Sequence, residues 1–88
     1  MYNLSVRVEI FREDDIYVAL SPELNVSSFG ETIEEAKSAI KEAIEAFIEE
    51  CEVMGTLDDI LEEAGFTKNL DMWISRSPIA EERIALAM

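Results

Sequence analysis

The apolar positions of this chain change period near residue 30. Leu4, Val6, Val8 and Ile10 alternate with Ser5, Arg7 and Glu9, and Ile16, Val18 and Leu20 repeat the alternation. A period of two puts every second side chain on one face, so these stretches predict strands over about residues 2–12 and 16–21. Pro22 cannot donate to a ladder, and residues 24–29 predict a short third strand beyond it. From residue 33 the period lengthens. Ala36, Ile40, Ala43, Ile44, Phe47, Ile48 and Cys51 form one apolar stripe of a helix over about residues 33–54, with Glu34, Lys37, Lys41, Glu45 and Glu49 on its solvated face.

The junction Gly30-Glu31-Thr32-Ile33-Glu34-Glu35-Ala36 explains where that helix begins. Gly30 suits a turn of positive φ. Thr32 is a good N-cap, and Glu35, three residues on, is placed to accept from the Thr32 amide and close a capping box. Gly55 suits the left-handed residue beyond the helix, and Thr56 and Gly65 bracket a second helix over about residues 57–64.

The first hairpin has a register that parity constrains. If Val8 and Ile10 share a core face with Val18 and Leu20, opposed residues have numbers with an even sum. A three-residue loop, Glu13-Asp14-Asp15, gives 28 and keeps every apolar residue inside. Asp15 then takes the left-handed position, which aspartate tolerates. Phe11 and Tyr17 oppose each other on the outer face, either as a patch for dimerisation or docking or as an ordinary cross-strand aromatic pair. Further on, residues 66–79 have no clean period and read as a connecting segment, with Trp73 as a hydrophobic anchor over one end of the core. Ile84, Leu86 and Met88 alternate with alanines, which predicts a final strand over about residues 83–88 buried on both faces.

Eighty-eight residues suggest a single domain, and a chain of this size buries roughly 60–65% of the surface its unfolded form exposes. The 49% hydrophobic content argues against disorder. Charge changes the picture most. Twenty acidic against seven basic side chains give −13, which opposes nucleic-acid binding and fits either a basic protein partner or an acidic cytosolic protein with no such partner. Cys51 is the lone cysteine and histidine is absent, so an intramolecular disulfide and a Cys/His metal cluster are both excluded. Cys51 follows Phe47 by one helical turn and reads as a small buried hydrophobe. The first residues lack a basic segment followed by an apolar one, and no apolar run reaches the length of a membrane span, so the expectation is a cytoplasmic protein.

Three motifs in order carry a resemblance: Asp14-Asp15-Ile16-Tyr17-Val18-Ala19, then Pro22-Glu23-Leu24, then Gly30-Glu31-Thr32-Ile33-Glu34-Glu35-Ala36. Over about residues 2–65 the chain resembles the HicB-like antitoxin family, with its acidic turn, Tyr-x-Ala, Pro-Asp/Glu-Leu and Gly-x-Thr-x-Glu-Glu-Ala. The resemblance implies an α+β fold of β-β-β-α-(α)-β order. That is a truncated ribonuclease-H-like core with one long helix on a mostly antiparallel sheet, and residues 83–88 would run parallel to the first strand. Asn25-Val26 replaces the family's usual Pro-Gly. Residues 66–88 offer no basic recognition helix, so the expectation is a short form without the C-terminal DNA-binding segment and without direct DNA binding.

No enzyme is expected. Two-metal phosphoryl chemistry needs convergent carboxylates holding metals about 4 Å apart. Glu9 is the only acid inside the first strand and points away from the core by parity, and the last predicted strand has none. Neither cofactor nor metal is expected. The resemblance implies instead a protein that neutralises a small basic RNA-cleaving toxin of the HicA type, as a homodimer or higher oligomer. Phe11, Glu13, Asp14, Asp15, Tyr17 and Glu23 are the candidate contacts. The alternative is a stand-alone homo-oligomeric domain with a structural or small-molecule-binding role and no toxin.

Overall fold

Helix α1 (Ile33–Met54) occupies the span its periodicity predicts, with Ala36, Ile40, Ile44, Ile48 and Cys51 buried. The structure, a computed structural model, describes residues 3–88. Thr32 is extended, and its Oγ1 accepts from the Glu35 amide at 3.0 Å. The Glu35 carboxylate reaches one residue further back than expected and accepts from the Glu31 amide at 2.8 Å. At the other end Gly55 has φ 73°; its amide donates to the Glu52 carbonyl, while the Thr56 amide donates to that of Cys51. Helix α2 (Leu57–Glu63) follows at once. Thr56 does not cap it through its side chain, because its ψ of 1° departs from the extended geometry a cap needs.

Gly30 serves the helix in a way the sequence did not suggest. It is absent from the residues of positive φ. Its value lies in its missing side chain: a Cβ there would sit 2.5 Å from the Ala36 nitrogen and 2.7 Å from the Glu35 carbonyl carbon. The first turn of α1 lies directly on the end of the strand that precedes it.

The fold is α+β, with two three-stranded sheets. β2 (Glu9–Glu13), β3 (Ile16–Ser21) and β4 (Val26–Gly30) pair antiparallel in that order. β1 (Asn3–Ser5) pairs parallel with β6 (Met72–Ile74), which pairs antiparallel with β5 (Thr67–Asn69). The first predicted strand is therefore two, interrupted at Val6, Arg7 and Val8; its expected start at residue 2 lies outside the described residues. At the break the Arg7 amide donates to Ser75 Oγ, and the Ser75 amide donates to the Ser5 carbonyl. The third strand begins at Val26, because the chain turns through Asn25 at φ 56°.

The hairpin register differs from the expectation by one. Glu13 pairs with Ile16, Phe11 with Val18 and Ile10 with Ala19, so opposed numbers sum to 29 around a two-residue loop, Asp14-Asp15. Asp14, not Asp15, holds the positive φ, at 52°. The shift moves Ile16, Val18 and Leu20 to the outer face and brings Tyr17, Ala19 and Ser21 inward. Size is the reason. Ala19 and Ala36 have no exposed surface, and small residues on the inner face let α1 approach β3 and β4 closely. The core joins these to Leu24, Leu57, Leu61, Phe66 and Trp73.

Two expectations for the last quarter are overturned. Residues 66–79 are not merely a connector, since they contain the β5–β6 hairpin turning at Leu70 (φ 56°) and Asp71. Trp73 lies buried in the core beside Leu4, its parallel partner across the ladder, and Lys68 Nζ stands 5.7 Å from its ring centroid. Residues 83–88 form no strand and are exposed. β6 already fills the place parallel to the first strand.

Replacing Gly30 by Ala should cost about 1–3 kcal/mol, because the new methyl meets backbone rather than a yielding side chain. Thr32→Ala should cost about 1 kcal/mol through the cap. Urea unfolding measures both; an unchanged midpoint for Gly30→Ala would show that the helix does not rest on β4.

Candidate functional site

The one-residue register shift creates the surface of most interest. Directly opposed residues of an antiparallel sheet share a face. Phe11, Val18 and Phe29 therefore form a row across all three strands of the outer face, with Leu20 and Ile16 on either side along β3. Phe11 is 51% exposed and Phe29 65%. None of these five side chains belongs to the core or packs against it. Phe11 and Phe29 are thus the exposed aromatics of this face, and Ile16, Val18 and Leu20 beside them are half-buried.

Carboxylates collect at one end of that face. Glu13, Asp14 and Asp15 are exposed at the tip of the β2–β3 hairpin, whose turn is braced by Arg12 Nε donating to the Asp14 carbonyl at 3.3 Å. Gly30 pairs with Tyr17, which pairs with Arg12, so the end of β4 lies beside this tip. Glu31, Glu34 and Glu35 follow within five residues and are exposed too. Lys37 Nζ lies 3.7 Å from Glu34. The result is an apolar face with an acidic end.

Of the six residues expected to bind a partner, four lie on this surface: Phe11, Glu13, Asp14 and Asp15. Tyr17 does not. It opposes Arg12 rather than Phe11 and packs against the core, so the expected Phe11–Tyr17 pair does not exist. Glu23 does not either. Its side chain is only 4% exposed, and Oε2 accepts from Arg7 Nη2 at 3.0 Å. Arg7 also donates through Nη1 to Glu9 at 2.8 Å and is itself 34% exposed. These two carboxylates, Glu23 before Glu9, hold the guanidinium above the usual arginine value. Raising that pKa makes the pair's cation safe at every pH below it, so the cation is lost only in strong alkali.

Sequence reasoning missed the outer facing of Val18 and Leu20 because it took the alternating apolar residues to be inward, and it gave Phe29 no face. The available signal was Ala19, Ser21 and Ser28, whose small size suits a close helix. No metal site arises: among the described residues no three His, Cys, Asp or Glu side chains are grouped to hold an ion. Nor is any helix long and apolar enough to cross a membrane. Among known proteins, no family model, curated protein or solved structure matches this chain.

Removing Arg7 alone leaves the Glu23 carboxylate buried without its partner, whereas removing both charges does not. Arg7→Met should therefore lower the melting temperature more than the double variant Arg7→Met/Glu23→Leu. The opposite order would show that Glu23 is solvated and not held by Arg7.

Proposed function

We propose that this chain is a non-catalytic binding protein of the HicB-like antitoxin type, which neutralises a small basic RNA-cleaving toxin. The observation that carries this reading is the outer sheet face, where exposed Phe11 and Phe29 flank half-buried Val18 beside the carboxylates of Glu13, Asp14 and Asp15. Apolar area supplies affinity there, and the acidic end orients a cationic partner and speeds its approach. A net charge of −13 adds long-range attraction of the same sign. An RNA-cleaving protein has a basic face by necessity, because it must neutralise phosphates. Covering that face is sufficient for inhibition and needs no chemistry from this chain.

The connection order supports the truncated ribonuclease-H-like part of the reading: an antiparallel hairpin, a third strand, a long helix, then a strand returning parallel to the first. A cytoplasmic location belongs to the same reading, since the RNA such a toxin cleaves is there. The competing role, a stand-alone oligomer without a toxin, predicts the same exposed apolar face but gives the acidic end no task.

Co-expression with any small basic reading frame found encoded next to this one should restore growth that the basic protein alone arrests. Phe29→Asp and Asp15→Lys should each abolish rescue. As surface substitutions they should leave stability within about 0.5 kcal/mol of the parent. A neighbouring frame that is not toxic, or rescue that survives both variants, overturns the proposal.

A further inference from the structure

Helix α1 and the first strands leave a groove between them of about 700 Å³, open along its length. Val6, Val8 and Ile10 form one wall; Ile40, Ile44 and Ile48 form the other. After β6 and the buried Ser75, residues 76–88 have no helix or strand, and Ile84 is 78% and Leu86 76% exposed. We propose that residues 84–88 of one copy lie in this groove of a second copy, reciprocally, so that two chains exchange their apolar segments in a symmetric dimer.

Spacing supports the fit. Successive isoleucines of the helix wall are four residues apart, about 6 Å along the axis. Ile84, Leu86 and Met88 in an extended segment fall about 6.4–6.8 Å apart on one side. The three side chains therefore keep step with Ile40, Ile44 and Ile48. Charge supports a direction. Lys37 and Lys41 line the groove beside Ile40, while Glu45 and Glu49 line it further along. The acidic pair Glu81-Glu82 precedes Ile84, so a segment running from the Lys37 end towards Ile48 sets carboxylates beside ammonium groups.

The route out of the domain favours a second copy over the same chain. Ser75 is tied to the Ser5 carbonyl and the Arg7 amide, which fixes where the segment leaves. Ser77 precedes Pro78 and is biased to extended backbone, and Pro78 fixes its own φ. Within the single chain Ile84 and Leu86 stay exposed and do not enter the groove of their own domain. The occupant of that groove is therefore the same segment of a second copy. The exchange uses the helix side of the sheet and does not rest on the toxin reading, which uses the outer face.

Light scattering on the full chain should give twice the single-chain mass. Leu86→Asp should halve it without changing the folded-state circular dichroism, because Leu86 contributes nothing to the single-chain fold. Phe29→Asp should leave the double mass intact. A single-chain mass for the parent, or a dimer that survives Leu86→Asp but not Phe29→Asp, overturns the proposal. The variant Lys41→Cys/Leu86→Cys, in which the native Cys51 is buried, should oxidise to a two-chain species on a non-reducing gel. Oxidation within one chain, or none, also overturns it.

Discussion

The close contact between the first turn of α1 and the end of β4 governs how the sheet is built and which of its faces stays open. Gly30 has no room for a side chain, since the Ala36 backbone occupies that space. An isolated helix of this length owes most of its stability to packing of its apolar face rather than to propensity. Here the packing partner is a sheet whose inner face presents Ala19, Ser21 and Ser28 near the helix. Small residues inward oblige large ones outward, because the strand period is two and a one-residue choice of register moves every side chain at once. The outer row of Phe11, Val18 and Phe29 is thus a consequence of seating the helix closely. The sheet has two apolar faces, and only one of them has a helix.

What was legible in the sequence was local. The limits of α1 are written in Thr32, Glu35 and Gly55, whose effects reach no further than the neighbouring turn, and the structure places that helix at Ile33–Met54. The hairpin register was not legible, because alternation names a face without saying whether the core lies on it. Large apolar residues usually point inward, but here volume had to yield to the helix. Glu23 illustrates a second limit. Beside Pro22 it reads as a turn carboxylate; its burial depends on Arg7, sixteen residues away, and on no local pattern. The acidic tip at Glu13, Asp14 and Asp15 was legible because exposure at a hairpin turn is a local property.

The segment after β6 shows how a correct pattern leads to a wrong element. Ile84, Leu86 and Met88 do alternate, but a strand also needs an edge to pair with. The place parallel to β1 belongs to Met72, Trp73 and Ile74, a stretch too short to show a period. Trp73 outcompetes the later residues because its large ring buries more area than their aliphatic side chains and because the β5 hairpin delivers it already paired. The alternation left over pairs with no strand of its own chain, and it is what the proposed exchange between two copies uses.

The two proposed contact surfaces also answer a difficulty that the charge raises. Two copies, each at −13, repel, and a dimer through the outer faces would bring their acidic ends towards each other. Self-association through the groove as proposed sets the acids Glu81 and Glu82 of the inserted segment beside Lys37 and Lys41 and keeps them from Glu45, Glu49 and Glu52 further along. The outer face, with its carboxylates, is left for a partner of opposite sign. Opposite sides of one three-stranded sheet thus separate like-with-like contact from contact with a basic protein. Under the two proposals together, occupation of one side leaves the other open, and the assembly they describe holds two copies with two partners.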